Sequence, residues 1–239
     1  MIQPLRPPRE GGAGDRLLGA LARRGHAIVG AEAAPPVRER TIFVCPAPGE
    51  DVSGTRESLK ALVPAQGSRL LVITRLGTHP DAAHASLRDL WTLEETARAA
   101  AIPSLVLRLA PMLGPRSPLW LRLASASRLG RRADLLLNPV VESDVIETLD
   151  RALSGRAEWR GWFEIAGPEV WSLGELADLA RACGRGAGEE PGSWEPPIEE
   201  MEEHRLAEAG RWLEHFGMTV RPLSAQAGSW AAMETERSA

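Results

Sequence analysis

The sequence contains no tyrosine, and Lys60 is the one lysine among its 28 basic residues. The missing tyrosine excludes every mechanism in which a phenol acts as the proton donor. Cysteine is also scarce, because Cys45 and Cys183 are the two in the chain. Two cysteines give neither a metal-ligand spacing nor a disulfide framework, and they are typical of a reducing cytoplasm. We therefore expect a cytoplasmic protein without a structural metal.

Long apolar runs are absent too. No stretch reaches the roughly 18 residues that a membrane helix needs, and the N-terminal MIQPLRPPREGG has no apolar core of a signal peptide. The net charge of −4 gives no indication of nucleic-acid binding. The 239 residues suit one α/β domain, or one with a small appended lobe. The expected partners therefore include neither a membrane nor nucleic acid.

Two short apolar runs indicate the fold. Residues 70–74 and 104–109 are rich in leucine, valine and isoleucine, and they end close to Gly77 and Pro111. Such runs are typical of buried strands of a parallel sheet. About twenty residues of helical pattern separate them, which is enough for a crossover helix. Because ligands of open parallel sheets bind beyond the carboxyl ends of the strands, we expect residues 74–84 and 108–115 to line a small-molecule site.

A glycine turn near the N-terminus resembles a dinucleotide fingerprint. Gly11, Gly12 and Gly14 precede a helical segment, a short strand at residues 26–30 follows, and Glu32 stands where an acid would bind the ribose. Glycines permit a close approach of phosphate to the helix N-terminus. Leu17 takes the place of the third glycine, and Pro7 with Pro8 disfavours a long first strand. The alternatives are a retained dinucleotide site and a glycine loop without a ligand.

The segment THPDAAH supplies the candidate catalytic residues. His79, Asp81 and His84 follow the first buried strand, where imidazole and carboxylate groups could do acid–base work. A metal site is less favoured. A solvated loop, in which Asp81 caps the next helix, is the plainer interpretation. On that next helix, Glu94 and Glu95 are predicted to lie on a solvated face.

The rest of the chain predicts further core elements and a small lobe. Ser172 and Glu175 form a capping box at the start of a helix. The other predicted elements are a strand at 41–45, a helix at about 53–63, a helix over the mouth of the site at 118–132, a strand at 135–140, a helix from Ser143 or Asp144, a strand at 162–165, an exposed linker at 185–196 and a charged helix at 197–216. We divide the chain into a Rossmann-like core at 1–115 and, at 116–239, remaining core elements interleaved with a C-terminal lobe, the whole forming one structural unit.

Five segments in order resemble the atypical and extended short-chain dehydrogenase/reductase superfamily, especially its NmrA-like and NAD-dependent epimerase/dehydratase-like members. They are GGAGDRLLGALARRGHAIVG, RLLVITRLG, EETARAAAIPSLVLRLAPMLGP, NPVVESDVIETLDRAL and FEIAGPEVWSLGELA. The resemblance covers roughly residues 10–185. It implies a doubly wound, mainly parallel Rossmann-like sheet and an NAD or NADP site formed by Gly11, Gly12, Gly14, Glu32, Thr74 and Arg108.

Two departures from the family pattern bear on activity. The family's Tyr-x-x-x-Lys pair falls on Ser86 and Leu90, and neither residue can replace a phenol or an ammonium group. Only ten residues separate Gly30 from Thr41, where the family has a strand and a helix around the adenine. The resemblance therefore implies a Rossmann-like sheet that is truncated on the adenine side, with cofactor binding weakened or lost.

These features lead to three functional hypotheses. The first is a degenerate family member without Tyr/Lys dehydrogenase activity, which acts as a ligand-binding, sensor or partner protein and could form a homodimer. The second is an NmrA-like NAD(P)H-dependent reductase, since hydride transfer is the cofactor's chemistry. The third is a repurposed non-redox enzyme, an isomerase, cyclase or lyase, that uses the 79–84 loop with Arg108 for a substrate anion.

Overall fold

The computed structural model describes residues 1–8, 10, 12–30, 40–47, 50–62, 67–115, 117–126, 129–183 and 203–237, with side chains through residue 230. The described helices are α1 Ala13–Arg23, α2 Ser53–Lys60, α3 Ala85–Ala99, α4 Pro118–Ser125, α5 Glu142–Leu153, α6 Leu173–Ala182, α7 Gly210–Phe216 and α8 Leu223–Arg237. The strands are β1 Ile2–Pro4, β2 Thr41–Val44, β3 Arg69–Arg75, β4 Ser104–Leu109, β5 Met112–Leu113, β6 Leu136–Leu137, β7 Val140–Val141, β8 Gly161–Ile165 and β9 Trp171–Ser172.

Five strands form one sheet in the order β1-β2-β3-β4-β8, and every neighbouring pair is parallel. The register places Thr74 of β3 beside Arg108 of β4. Alternate residues of these strands face opposite sides, as the two-residue period requires. Helices lie on both sides, so the predicted doubly wound α/β sheet is confirmed. The predicted strands 70–74 and 104–109 both lie in its centre.

Two apolar clusters fill the space between the sheet and its helices. One cluster joins Leu71 and Leu107 to residues of α1, α5 and α7, among them Leu17, Leu149 and Trp212. The other joins Leu70 and Val106 to α2 and α3 on the opposite side. Residues one position apart on the same strand thus serve different clusters, which accounts for the continuous apolar runs in the sequence.

A third cluster lies outside the main sheet. It contains side chains of α4, α6 and α8, including Trp120, Leu176 and Trp230, together with Leu137 and Val141. Two small sheets support it: β5 pairs with β7 in parallel, and β6 pairs with β9 antiparallel. The ring of Trp120 meets that of Trp230 edge-on at 4.9 Å between centroids. This second core is the structural basis of the small lobe.

The capping box of α6 is present as the sequence predicts. The Ser172 hydroxyl accepts from the backbone N–H of Glu175 at 3.1 Å, and the Glu175 carboxylate accepts from the Ser172 N–H at 2.8 Å. These bonds satisfy two groups that a helix start otherwise leaves without partners. They also lower the pKa of Glu175, mainly through the backbone hydrogen bond from Ser172.

Four predicted elements differ from the structure. The predicted helix 118–132 ends at Ser125 as α4, and a separate 3₁₀ helix spans Gly130–Asp134. The strand at 26–30 is reduced to a single bridge, in which Ile28 lies beside Ile2. The strand at 135–140 is two strands, β6 and β7, because Pro139 cannot donate to a ladder and separates them. In the predicted helix 197–216, residues 203–209 are not helical, because Arg205 pairs with the backbone of β6 instead. The linker 185–196 lies outside the described residues.

Candidate functional site

The carboxyl edge of the parallel sheet is the place where such folds bind ligands. The turn Leu76–Gly77 follows β3 there, and Ala110 with Pro111 follows β4. The N-terminus of α1 begins at the same edge, just beyond β1. These segments coincide with the ligand-lining segments 74–84 and 108–115 that the sequence predicts. The side chains at this edge therefore decide which chemistry the site supports.

The glycine turn is closely packed against the protein. A Cβ on Gly14 would lie 3.3 Å from the Cβ of Cys45 and 3.4 Å from the Cβ of Pro8. Gly12 is the N-cap of α1, and as a glycine it has no side chain to accept the first N–H groups of the helix. The first N–H groups of a helix have no acceptor within the helix, and in many proteins such a helix start binds an anion. Gly11 lies outside the described residues.

The adenine side is short in the described part of the chain. Ile2 donates to the carbonyl of Ala27 at 2.8 Å, and Val29 donates to the carbonyl of Ile2 at 3.0 Å. Beyond this contact the chain reaches residues 31–39, which the structure does not describe, so Glu32 stays a prediction. Between β1 and β2, a cavity of about 20 Å³ is lined by Leu5, Pro8 and Cys45 among others. That volume holds about one water molecule.

Thr74 and Arg108 are brought together, but by an acidic residue of α3. The Arg108 guanidinium donates two hydrogen bonds to Glu94, from Nε to Oε1 at 3.0 Å and from Nη2 to Oε2 at 2.7 Å. The Thr74 hydroxyl donates to Glu94 Oε1 at 2.6 Å. Arg98 adds a bond to Oε2 at 3.1 Å. Glu94 is fully buried, and Arg108 keeps 6% of its surface exposed.

The prediction that Glu94 lies on a solvated face is therefore wrong, whereas Glu95 is exposed as predicted. A signal for the buried position exists in the sequence. Leu87, Leu90, Glu94 and Ala97 follow the i, i+3, i+7, i+10 spacing of one helix face. A carboxylate on an otherwise apolar face needs a buried cation, and Arg108 on the next strand supplies it. Arg108 is thus already engaged, rather than free to bind a ligand's anion.

Two tryptophans enclose the Arg108 guanidinium. Its Cζ lies 4.5 Å from the Trp162 ring centroid and 5.4 Å from that of Trp91. Glu164 on β8 is 4.0 Å from Arg108 Nη1. Burial raises the pKa of the Glu164 carboxyl, and the charge of Arg108 opposes that rise. The group as a whole fixes the crossing of α3 over β3 and β4.

Ser86 and Leu90, the positions where the resemblance predicts the catalytic pair, lie in different environments on α3. Ser86 is exposed in the first turn of α3. Leu90 is 5% exposed and belongs to the apolar cluster between the sheet and α3. The helix side that would carry a lysine at this position is thus used for core packing. An ammonium group there would have to be buried without a partner.

The candidate catalytic loop is mostly open to solvent. His79 is 60% exposed and Asp81 is 90% exposed, with 3.7 Å between Nδ1 and Oδ2. His79 Nδ1 also accepts from the Asp81 backbone N–H at 3.1 Å. His84 is half-buried at the N-cap of α3, so Asp81 does not cap that helix. The loop brings His79 and Asp81 together, and their catalytic role stays a prediction.

A further ion pair at this edge is not apparent from the sequence. Arg16 Nε, in the first turns of α1, donates to Glu142 Oε1 at 3.0 Å. The other carboxylate oxygen of Glu142 would lie 3.0 Å from a Cβ on Gly114. The pair joins residues that are 126 positions apart, and the two side chains are 20% and 18% exposed. An anion bound at the α1 N-terminus would lie near Arg16.

The residues fit only one end of a dinucleotide. The start of α1, whose N-cap Gly12 makes no side-chain hydrogen bond to the helix, is the part that resembles a pyrophosphate site. The reactive end lacks a proton donor and a ribose-binding cation at Ser86 and Leu90. Among the described residues, no group of three or more His, Cys, Asp and Glu side chains is arranged to hold a metal. None of the described helices is both long and apolar enough to span a bilayer.

No protein-family profile and no curated protein sequence matches this chain. Solved structures do match its fold. WbmG of Bordetella bronchiseptica, solved with NAD, has a TM-score of 0.64 at 19% identity, over 97% of this chain and 94% of its own. The UDP-glucose 4-epimerase of Thermotoga maritima, solved with UDP-glucose, has a TM-score of 0.66 at 14% identity, over 100% of both chains.

A third match is a UDP-glucuronic acid 4-epimerase variant of Bacillus cereus, solved with NAD and UDP-4-deoxy-4-fluoro-glucuronic acid. Its TM-score is 0.67 at 14% identity, over 99% of each chain. Identities this low establish a shared fold and nothing finer. The chain therefore has the fold of NAD-dependent epimerases of the extended short-chain dehydrogenase/reductase type, which confirms the fold family that the sequence predicts.

Proposed function

We propose that this protein is a ligand-binding member of the extended short-chain dehydrogenase/reductase fold that lacks Tyr/Lys dehydrogenase activity, acting as a sensor or partner protein. The observation that carries the proposal is the state of α3. Ser86 and Leu90 occupy the positions of the catalytic pair, and Leu90 is part of the core. No tyrosine elsewhere in the chain can substitute for the missing phenol.

The proposed ligand site is the carboxyl edge between α1 and the loops after β3 and β4. When bound, NAD or NADP would supply hydride chemistry there. The chain's own contribution would be the start of α1, where a phosphate would bind. Arg16 in the next turn is already paired with Glu142. Pro7 and Pro8 have no N–H to offer, and the contact at Ile28 is the described remnant of the adenine side. We therefore expect weak dinucleotide binding.

The α1 N-terminus also favours the alternative of an NAD(P)H-dependent reductase. Its N-cap is a glycine, as at the start of the helix that binds the pyrophosphate in dinucleotide-binding folds. This alternative requires another proton donor, and His79 on its exposed loop is the nearest candidate in sequence. A non-redox isomerase, cyclase or lyase would use the same loop, with His79 and Asp81 exchanging a proton with the substrate.

Titration with NADH and NADPH separates these functions. Calorimetry and tryptophan quenching should give a Kd of roughly 1 mM or weaker, which corresponds to about −4 kcal/mol. Gly14→Val should abolish the residual binding, because a side chain there meets Cys45 and Pro8. Gly19→Ala on the same helix is the matched control, since its Cβ would meet only Arg23 at 3.6 Å.

Circular dichroism first verifies that the Gly14→Val protein is folded, and Gly14→Ala replaces it otherwise. Micromolar binding together with oxidation of NADH by aldehydes or ketones would contradict the proposal and establish the reductase. Loss of carbonyl turnover in His79→Ala would then identify the substitute acid. Turnover that needs His79 but no cofactor would favour the non-redox enzyme.

A further inference from the structure

A half-buried arginine from the C-terminal lobe, Arg205, reaches the carboxyl edge of the sheet. Arg205 lies in the non-helical segment before α7, and its backbone pairs with β6. Arg205 N donates to the carbonyl of Leu136 at 2.8 Å, and Asn138 N donates to the carbonyl of Arg205 at 3.3 Å. Both the N–H and the carbonyl of Arg205 are thus hydrogen-bonded to the segment 136–138, which holds its backbone in place.

Asn138 strengthens this attachment. Its side-chain Nδ2 donates to the carbonyl of Ala207 at 2.6 Å, and its Oδ1 accepts from the Ala207 N–H at 3.1 Å. The side chain of Asn138 is 4% exposed, so these bonds form in a dry environment. His204 Nδ1 accepts from the Leu136 N–H at 2.9 Å on the other side of Arg205. The position of Arg205 is therefore determined by its neighbours, not by its own charge.

The guanidinium lies over the turn that follows the central strand β3. A Cβ on Gly77 would be 2.4 Å from Arg205 Nη1 and 3.2 Å from its Cζ. Gly77 has φ +88°, so two constraints, the conformation and the arginine, both require glycine there. The same point is 3.6 Å from Leu87 Cδ1 in the first turn of α3. Arg205 and the positive end of α3 thus border one spot at the carboxyl edge.

The charge of Arg205 is incompletely compensated within the described residues. Its side chain is 12% exposed, and its ion pair with Glu203 is long, at 3.5 Å, with a Glu203 side chain that is 49% exposed. Burial lowers the pKa of Arg205, and the charge of Glu203 opposes this shift with a smaller effect. Arg108, by contrast, has a bidentate carboxylate partner in Glu94. A half-buried guanidinium whose one described carboxylate partner is distant and exposed gains stability when an anion joins it.

We propose that Arg205 is the anchor of an anion-binding subsite over the Gly77 turn, for a small metabolite that carries a carboxylate or phosphate group. The planar guanidinium matches both groups through two parallel hydrogen bonds. This subsite rests on the proposed binding function and gives its ligand a charge. It lies beyond β3, whereas the pyrophosphate donors lie at the start of α1, so the two can be tested separately.

The test measures anion binding to the full chain at constant ionic strength. Inorganic phosphate and malonate are titrated by calorimetry and by thermal shift, with sodium chloride as the ionic-strength control. We expect a saturable rise in Tm with at least one of the two anions, and the preferred anion indicates whether the natural ligand carries phosphate or carboxylate. Arg205→Gln should weaken this binding at least tenfold. The affinity of Arg205→Lys should lie between those of Arg205→Gln and the unaltered protein, because lysine keeps the charge but not the two parallel N–H donors of the guanidinium.

Arg160→Gln is the matched control, since Arg160 is 82% exposed and pairs with Glu158 at the surface. It should bind the anions as the unaltered protein does. Without anion, Arg205→Gln should have the same Tm as the unaltered protein or a higher one, because an uncompensated charge has been removed. A lower Tm would assign Arg205 a structural partner and overturn the proposal.

Equal anion affinity in Arg205→Gln, or no effect beyond that of chloride, would overturn it as well. The outcome is independent of the dinucleotide titration. NADH binding that depends on Gly14 but not on Arg205 would support the proposed function. The anion titration would then be the one experiment that tests the Arg205 subsite.

Discussion

Glu94 is the residue on which the centre of the molecule depends. A carboxylate with no exposed surface is unfavourable by several kcal/mol unless it is neutralised and hydrogen-bonded. Here Arg108, Thr74 and Arg98 provide four donor contacts within 3.1 Å. Thr74 and Arg108 are register partners on adjacent strands, so a single carboxylate ties α3 to both.

Removing this carboxylate should strongly destabilise the fold. We expect Glu94→Ala to lower the free energy of unfolding by about 3–5 kcal/mol, because it leaves Arg108 buried without its counterion. The neighbouring Glu95→Ala is the control, with an expected change within about 0.5 kcal/mol, since the Glu95 side chain is 51% exposed. Urea denaturation followed by circular dichroism measures both. A loss below about 1 kcal/mol for Glu94→Ala would contradict the role assigned to the pair.

Glu164 should make stability depend on pH. Its pKa is raised above 4.5, first by burial, so the folded state holds the proton more tightly than the unfolded state does. The stabilisation is present in full below the unfolded pKa and is lost as pH rises through the folded pKa. The amide of Glu164→Gln does not titrate. The stability of this variant relative to the unaltered protein should therefore increase as pH rises from the unfolded to the folded pKa of Glu164, and it should be constant above that pH.

Urea midpoints from about pH 3 to pH 7.5 test this expectation, because the range must begin below the unfolded pKa of a glutamate. Glu147 provides a contrast of opposite sign, because hydrogen bonds from Arg24 and Arg151 lower its pKa. Glu147→Gln should therefore be less stable than the unaltered protein at neutral pH, and the difference should shrink as pH falls through the folded pKa of Glu147. A pH-independent Glu164→Gln difference would mean that its carboxyl is solvated in the folded protein.

At the scale of elements, the face of α3 that is predicted to carry a catalytic pair packs against the sheet. The stripe that faces the sheet contains Leu87, Leu90 and Leu93, with Glu94 as its charged member. A functional lysine at position 90 would need an open edge beside it, and the core cluster fills that space. The helix therefore supports the fold through this face, which is consistent with the proposed absence of Tyr/Lys dehydrogenase activity.

Restoring the pair in sequence should not restore activity. We expect Leu90→Lys to reduce the free energy of unfolding by more than about 3 kcal/mol, because it places an ammonium group in an apolar cluster without a partner. Ser86→Tyr alone should be nearly neutral, since Ser86 is exposed. The double variant should show no NADH-dependent carbonyl reduction.

Leu90→Met is the matched control and should cost less than about 1.5 kcal/mol, because it conserves volume. Urea curves of the four variants and an absorbance assay for NADH give the answer. A stable double variant that reduces carbonyl substrates would show that the active-site geometry is intact and that only two side chains are missing.

At the scale of the molecule, the two halves of the chain share one core. Phe163 and Ile165 of β8 belong to the main cluster, as do Trp212 and Phe216 of α7. β8 also pairs with β4 inside the sheet. The third cluster, that of α4, α6 and α8, includes Leu137 of β6 and Val141 of β7, two strands that follow β4 in the chain. A division at residue 115 therefore separates sequence segments that complete one another, and we propose a single structural unit.

This arrangement predicts one cooperative unfolding transition. Tryptophan fluorescence reports on the main cluster and on the third cluster, because Trp212 lies in the main cluster and Trp120 and Trp230 lie in the third. We expect the fluorescence and far-UV circular dichroism curves in urea to have the same midpoint and slope. Two separate transitions would mean that the C-terminal lobe unfolds independently of the sheet.

Local patterns in the sequence were sufficient for most of the fold. The apolar runs at 70–74 and 104–109 predicted the two central strands, and Ser172 with Glu175 predicted the start of α6. These signals work because strand period, helix period and capping depend on residues within a few positions of each other. The resemblance of five ordered segments supplied the fold family, which the solved structures confirm.

The candidate site was less accessible, because its contacts join distant parts of the chain. Sequence alone determined that no phenol is available, and it predicted that a ligand binds at the carboxyl edge of the sheet. Only the tertiary structure decided that Glu94 is buried by Arg108, that Arg16 meets Glu142, and that Arg205 lies over Gly77. A charged side chain reads as solvated until the fold places an opposite charge or removes water beside it, and that placement depends on the packing of whole elements.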